Sequence, residues 1–200
     1  LDNHMSTLHV ENLKGLSSGS NANKIIVPSG QTLDASAGTL TPSAGAVVQV
    51  KYFDNDTAIS LNLALTWTDA ISVSFTPLYA TSKVLLIAKT SISGPSGNYD
   101  TSMRLLRDGT AIGGNNDPSN LFAGDNILAS TGYTSGEAGE TIGGQYLDSP
   151  ATTSAITYKI QVIGGENVTT YSVNRPYSSN ANGHYCNTGD TSLTLMEIAG

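Results

Sequence analysis

Ile156-Thr157-Tyr158-Lys159-Ile160-Gln161-Val162 is the stretch that decides the fold. Its apolar residues fall at every second position with Thr, Lys and Gln between them. Strand side chains alternate between the two faces of a sheet, so this pattern predicts a strand with one buried and one wet face. Upstream lies Tyr146-Leu147-Asp148-Ser149-Pro150. Pro150 has no backbone N–H to give to a sheet, so it marks a break where two strands meet across a corner.

Working outward, the same alternation recurs. Val48, Val50 and Tyr52 alternate with Gln49, Lys51 and Phe53 up to an Asp54-Asn55-Asp56 turn. Ile59, Leu61, Leu63, Leu65 and Trp67 then occupy successive odd positions, and after Asp69-Ala70 the pattern resumes at Ile71, Val73 and Phe75 until Pro77. A hairpin over Ile59 to Phe75, with Trp67 buried opposite Tyr158, is the economical expectation. Arg107-Asp108-Gly109-Thr110 predicts a two-residue hairpin turn, because Asp-Gly tolerates positive φ at both central positions. Residues 113–144 read mostly as loop, and Val168 to Val173 is expected to pair with the strand centred on Tyr158. Val84-Leu85-Leu86-Ile87-Ala88 and Leu193-Thr194-Leu195-Met196-Glu197-Ile198 are apolar on both faces. Strands of that kind are covered on both sides, here by a second sheet and by a loop or an adjoining subunit.

About ten strands joined by Gly-, Ser- and Asn-rich turns predict an all-β chain. The expected form is an antiparallel two-sheet sandwich, a jelly-roll-like head, preceded by an extended N-terminal stem segment. Residues 1–4, ending in His4 before Met5, look like an expression remnant. Residues 5–45 form the stem, which serves oligomerisation or attachment, and residues 46–200 form the head. Between Ile25 and Leu40 the few aliphatic residues are separated by small polar ones, too sparse to offset the entropy of ordering the backbone. The segment is therefore either a flexible tail or a stem wound against other copies.

Of the 200 residues only 12% are charged, 16 acidic against 9 basic, giving a formal net charge of −7. No basic cluster tracks a phosphate backbone, so nucleic acid is not an expected partner. No long apolar run is present, so no membrane span is expected. The single Cys186 has no second cysteine with which to form an intrachain disulfide.

Four groups of residues resemble a pattern in small tail-fibre-like structural proteins of bacteriophages, especially marine and cyanobacterial ones. They are Met5-Ser6-Thr7-Leu8; Thr76-Pro77 with Thr81-Ser82-Lys83-Val84-Leu85; Leu147-Asp148-Ser149-Pro150-Ala151-Thr152-Thr153 with Thr157-Tyr158-Lys159; and Leu193 to Ile198. The resemblance implies a virion protein made in the host cytoplasm. It favours a homotrimer with an intertwined stem, joined to other virion proteins through its N-terminal segment.

No nucleophile–base signature such as a Gly-x-Ser-x-Gly elbow is present, so the chain is not expected to be an enzyme, and no cofactor or metal is expected. Asp54-Asn55-Asp56 lacks the remaining ligands of a calcium loop, and His184 would bind a metal only if a threefold axis brought three copies together. The informative loops are residues 93–99, 130–136 and 177–185, which set Tyr among Ser, Gly and Asn. Stiff, flat tyrosines among adaptable polar groups suit recognition of protein or glycan surfaces. The candidate receptor-binding residues are Tyr99, Tyr133, Tyr177, His184 and Tyr185. The expected function is binding of a host-surface glycan or protein. The alternatives are a purely structural virion part, such as a stem adaptor or capsid decoration, and a glycan-degrading enzyme.

Overall fold

A computed structural model describes residues 17–20, 22, 24–32, 41–61, 66–93, 99–115, 126–133, 139–164, 171–175 and 189–200. The chain divides into two units, Leu1–Thr41 and Pro42–Gly200. In the first, the described residues form short turns, closed by bonds from the Ala22 amide to the Gly19 carbonyl and from the Gln31 amide to the Pro28 carbonyl, each 3.1 Å. Ile25, Ile26 and Val27 are exposed there.

The second unit is all β. Its strands are β1 (Val47–Asn55), β2 (Ile59–Leu61), β3 (Thr68–Phe75), β4 (Lys83–Ser93), β5 (Tyr99–Arg107), β6 (Thr110–Ile112), β7 (Ala129–Tyr133), β8 (Gly139–Asp148), β9 (Ile156–Gly164), β10 (Tyr171–Val173) and β11 (Thr191–Ile198). Sheet A holds β1, β11, β4, β8, β10 and β2; sheet B holds β3, β9, β5, β6 and β7. All pairs are antiparallel. Setting aside the short β2, β6 and β10, the first strand pairs with the last (β1 with β11), β3 with β9, β4 with β8, and β5 with β7. A long hairpin rolled into two sheets gives this pairing, which is the jelly roll expected.

The deciding stretch is the inner spine of sheet B. Ile156, Tyr158, Ile160 and Val162 are buried while Thr157, Lys159 and Gln161 lie outward. They meet Val84, Leu86, Ala88, Leu193 and Leu195 of sheet A in one core, where the Phe75 and Tyr158 rings pack at 6.3 Å. The corner at Pro150 carries the chain from β8 in sheet A to β9 in sheet B. The Asp-Gly turn joins β5 to β6 with φ of 48° at Asp108 and 84° at Gly109.

Several expectations are corrected. Ile59 to Phe75 is not a hairpin: β2 lies in sheet A, β3 in sheet B, and Asp69-Ala70 falls inside β3 at a register shift. Alternation reports which face of a strand is apolar, not which sheet owns it. Trp67 is half-buried rather than opposite Tyr158, with the Arg104 guanidinium 4.2 Å from its ring centre. β10 pairs with β2 and β4 and not with β9, so the chain changes sheet after Gly164. Residues 113–144 include β7 and the start of β8, hidden from pattern reading by glycines. Those glycines are needed for close approach: a Cβ on Gly143 would lie 2.7 Å from the Ala88 carbonyl oxygen, and one on Gly144 would lie 2.8 Å from the Leu128 side chain.

The outer face of sheet A is apolar. In register, Val50, Met196, Leu85 and Leu147 form one row across β1, β11, β4 and β8, and Tyr52, Thr194, Ile87 and Gln145 form the next. Val50 is 54% exposed, Tyr52 60%, Ile87 43% and Leu147 45%. The second sheet covers one side of the doubly apolar strands, and on the other side Ile87 of β4 stays exposed beside Val50, Tyr52 and Leu147.

Candidate functional site

The strand registers give the sandwich two distinct ends. At one, Val47 pairs with Ile198, Ile198 with Lys83, and Val84 with Asp148. The chain enters the sandwich here, and the Gly45 amide and Ala46 carbonyl bond to Ala199 at 2.8 Å each. At the other end, Asn55 pairs with Thr191, Ser93 with both Ser172 and Gly139, and Tyr99 with Tyr133. The connections 94–98, 134–138, 165–170 and 176–188 all leave from this second end.

The entry end is locked by ionic hydrogen bonds. Asp148, at the end of β8, is buried and accepts Arg107 Nη1 from β5 at 2.7 and 2.8 Å and the Tyr158 hydroxyl from β9 at 2.7 Å. One carboxylate thus ties sheet A to sheet B. Burial, reinforced by the Asp148 charge, pushes the Tyr158 phenol well above its ordinary value. Glu197 is also buried and accepts the Leu78 amide at 2.8 and 2.9 Å, the Tyr79 amide at 3.0 Å and Gln49 Nε2 at 2.5 Å. Burial works against its charge, but these donors outweigh it and hold the carboxyl below the usual range. They fix the β3–β4 connection.

The loop-bearing end is rooted differently, in small buried polar residues. Thr90 and Thr191 share a hydrogen bond of 2.8 Å, and Thr191 donates to Asn174 Oδ1 at 2.9 Å. Asn174 Nδ2 donates to the carbonyls of Asn55 at 2.7 Å and Thr57 at 3.2 Å, and its amide donates to the Ser91 carbonyl at 2.9 Å. With φ of 63°, Asn174 holds a left-handed conformation that asparagine tolerates better than most residues. It thereby fastens the strand leading into 176–188 to β4 and to the turn after β1. On the rim, Lys89 and Asp190 pair at 2.8 Å; the bond raises the lysine pKa and lowers the aspartate's. Thr131 donates to Glu140, and Arg175 to Ser60.

The five candidate recognition residues map to this end in two ways. Tyr99 opens β5 and Tyr133 closes β7, directly opposite each other in register. Tyr177, His184 and Tyr185 lie outside the described residues, in the connection between Arg175 and Gly189. The sequence reading missed the carboxylate locks and the Asn174 root. Asp148 and Glu197 stand in the quoted Leu147-Asp148-Ser149-Pro150 and Leu193-to-Ile198 words, but their partners are distant in sequence.

On the outer face of sheet B, Lys159 Nζ and Gln161 Nε2 donate to Asp69 at 2.6 and 2.7 Å, and Arg104 donates to Gln161 Oε1 from Nε at 2.9 Å and from Nη2 at 2.8 Å. Partial burial opposes the Asp69 charge, and the bonds from Lys159 and Gln161 outweigh it, leaving its pKa lowered. Asn55 in Asp54-Asn55-Asp56 spends its side chain on the turn, donating to the Ala70 carbonyl at 2.9 Å and accepting the Thr57 amide at 3.0 Å. Among the described residues, no three His, Cys, Asp or Glu side chains gather as a metal site, and no helix is long and apolar enough to cross a membrane.

No family model and no curated protein sequence matches this chain. Among solved structures it is similar to that of infectious bursal disease virus Gx strain, at 10% identity and a TM-score of 0.37 over 80% of this chain and 46% of that one. It is also similar to the infectious bursal disease virus VP2 subviral particle, at 11% identity and a TM-score of 0.33 over 78% of this chain and 38% of that one. The EclA C-terminal domain, a sugar-binding protein, matches at 14% identity and a TM-score of 0.31 over 77% of this chain and 89% of that one. The chain spans less than half the length of the viral chains, and at these TM-scores none of the three bears on what it does.

Proposed function

We propose that this chain is a bacteriophage virion structural protein, the head of a trimeric tail fibre or tip. Its N-terminal segment joins other virion proteins, and its loop-bearing end binds a glycan or protein on the host surface. The observation that carries the reading is the segregation of the two ends. The chain enters at Val47, where ionic hydrogen bonds lock the sandwich, while the strand ends at Tyr99 and Tyr133 and the connection 176–188 with Tyr177 and Tyr185 stand at or leave from the opposite end. A head held at its entry end presents the other end outward, and binding residues concentrate on loops held by a rigid scaffold. The resemblance to phage fibre proteins supplies the setting.

The test is adsorption to susceptible and resistant host cells, with Tyr177 and Tyr185 changed together to Ser. Exposed loop substitutions leave stability nearly unchanged. Adsorption falls, and with three equivalent weak contacts per particle the loss reaches about a hundredfold through avidity. A folded double variant that adsorbs like its parent removes these residues from the site. An unmodified protein that adsorbs to no host leaves only the purely structural role.

A further inference from the structure

The two sheets are built alike inward and unlike outward. Sheet B turns Asp69, Ser72, Thr157, Lys159, Gln161 and Arg104 outward, knit by their own hydrogen bonds, and the two large apolar residues among them, Leu106 and Ile163, are buried. Sheet A turns out Val50, Met196, Leu85, Leu147, Tyr52 and Ile87. An antiparallel sheet with one free face normally alternates apolar inward and polar outward, and the exposed outer positions of β3 in sheet B, Asp69, Ser72 and Ser74, keep to this. Sheet A breaks that rule across four adjacent strands.

We infer that the outer face of sheet A is buried against a second copy of this chain. The inference deepens the assembly part of the proposed function and rests on it. Size supports it. Four strands at about 4.8 Å spacing, taken over about six residues at 3.4 Å, make a patch of about 20 by 20 Å, or 400 Å² in plan. One partner of a standard interface contributes about 800 Å², an apolar centre inside a polar rim. The apolar rows supply the centre. Lys83, Lys89, Asp54 and Asp190 surround it.

Charge points the same way. The chain carries a net −7, so two copies repel in general. At this face two lysines offset two aspartates, which makes it locally neutral, a surface that a like-charged copy can approach. A strongly basic or acidic partner would find no complementary field here.

The experiment uses the full chain with Val50→Glu and Leu147→Glu combined. Both side chains are exposed in one chain, so the fold tolerates the change, while two carboxylates opposed to an apolar neighbour break the contact. The expected result is loss of the oligomer to the 20.7 kDa single-chain mass in sedimentation with the sheet spectrum retained. Ser72→Glu with Thr157→Glu, on the outer face of sheet B, keeps the parental mass. A folded double variant that keeps the parental oligomer overturns the inference and leaves the assembly reading standing. An unmodified chain that is monomeric overturns both.

Should the charged variant fail to fold, Leu147→Cys in a Cys186→Ser background answers by maleimide labelling. Protection relative to Ser72→Cys is expected, and equal rates overturn the inference. Protection that vanishes on deleting residues 6–43, with the number of copies in the particle unchanged, makes the chain's own N-terminal segment the occupant, which also overturns it.

Discussion

Replacing Asp148 by Ala removes the one carboxylate shared by β5, β8 and β9, and the structure sets the size of the effect. The Tyr158 side chain is buried, so its hydroxyl loses its acceptor without gaining water, at a cost of about 1–3 kcal/mol. Arg107 loses two charge-assisted contacts, but its side chain is 31% exposed and recovers hydration, so the low end of the range for such bonds applies, about 1.5 kcal/mol. Together the loss is about 2.5–4.5 kcal/mol. For a unit of this size each kcal/mol moves the midpoint by about 2–4 °C, so melting falls by about 5–18 °C. The assay is urea unfolding at fixed protomer concentration, because assembly contributes to apparent stability. Tyr158→Phe alone costs about 1 kcal/mol, since Arg107 still holds the carboxylate. In the double variant no orphaned hydroxyl remains, so the two losses fall short of additivity by about 1 kcal/mol or more. A loss below about 1 kcal/mol for Asp148→Ala, or strict additivity, refutes the idea that this carboxylate joins the sheets.

Alkaline titration tests the tyrosines: burial raises Tyr158 and pushes Tyr171 up to about 12. Their folded pKa values exceed the unfolded value of about 10, so their contribution is complete below pH 10 and is lost as pH rises beyond it. Absorbance near the phenolate band should therefore show a late fraction that appears only with unfolding. Glu197 has the opposite sign. Its lowered pKa contributes stability above about pH 4.3 that disappears as pH falls through the folded value, and Glu197→Gln should flatten stability against pH in that acid range. Asn174→Ala should cost about 2–4 kcal/mol by denaturant unfolding, through lost buried hydrogen bonds and a left-handed backbone that alanine resists. Ile160→Ala, in the middle of the core, should cost about 2–5 kcal/mol, and an unchanged melting curve would place that face in solvent.

Local features carried most of the fold. The spine at Ile156 to Val162, the corner at Pro150 and the Asp108-Gly109 turn each depend on neighbouring residues, and each is found as expected. What alternation lacks is address. Ile59 and Val73 continue one odd-numbered pattern yet belong to different sheets, and β10 leaves its neighbour β9 for β4. Strand β8 escaped because its glycines serve close approach, Gly143 to the backbone of β4 and Gly144 to the Leu128 side chain, rather than strand propensity. The apolar outer side of β4 and β11 was legible; that Ile87 stays exposed on it was not. The candidate site divides the same way. Tyrosine-bearing polar stretches are visible in composition, though Tyr99 and Tyr133 prove to end strands, whereas Thr90 with Thr191, or Arg107 with Asp148, are partners set by topology across 101 and 41 residues.

Sedimentation equilibrium of the unmodified full chain across a wide concentration range tests the account most directly, since the stem, the apolar face of sheet A and outward presentation of the loops all presuppose assembled copies. A stable particle of about three times the 20.7 kDa chain mass is expected. A single-chain mass at every concentration would contradict it.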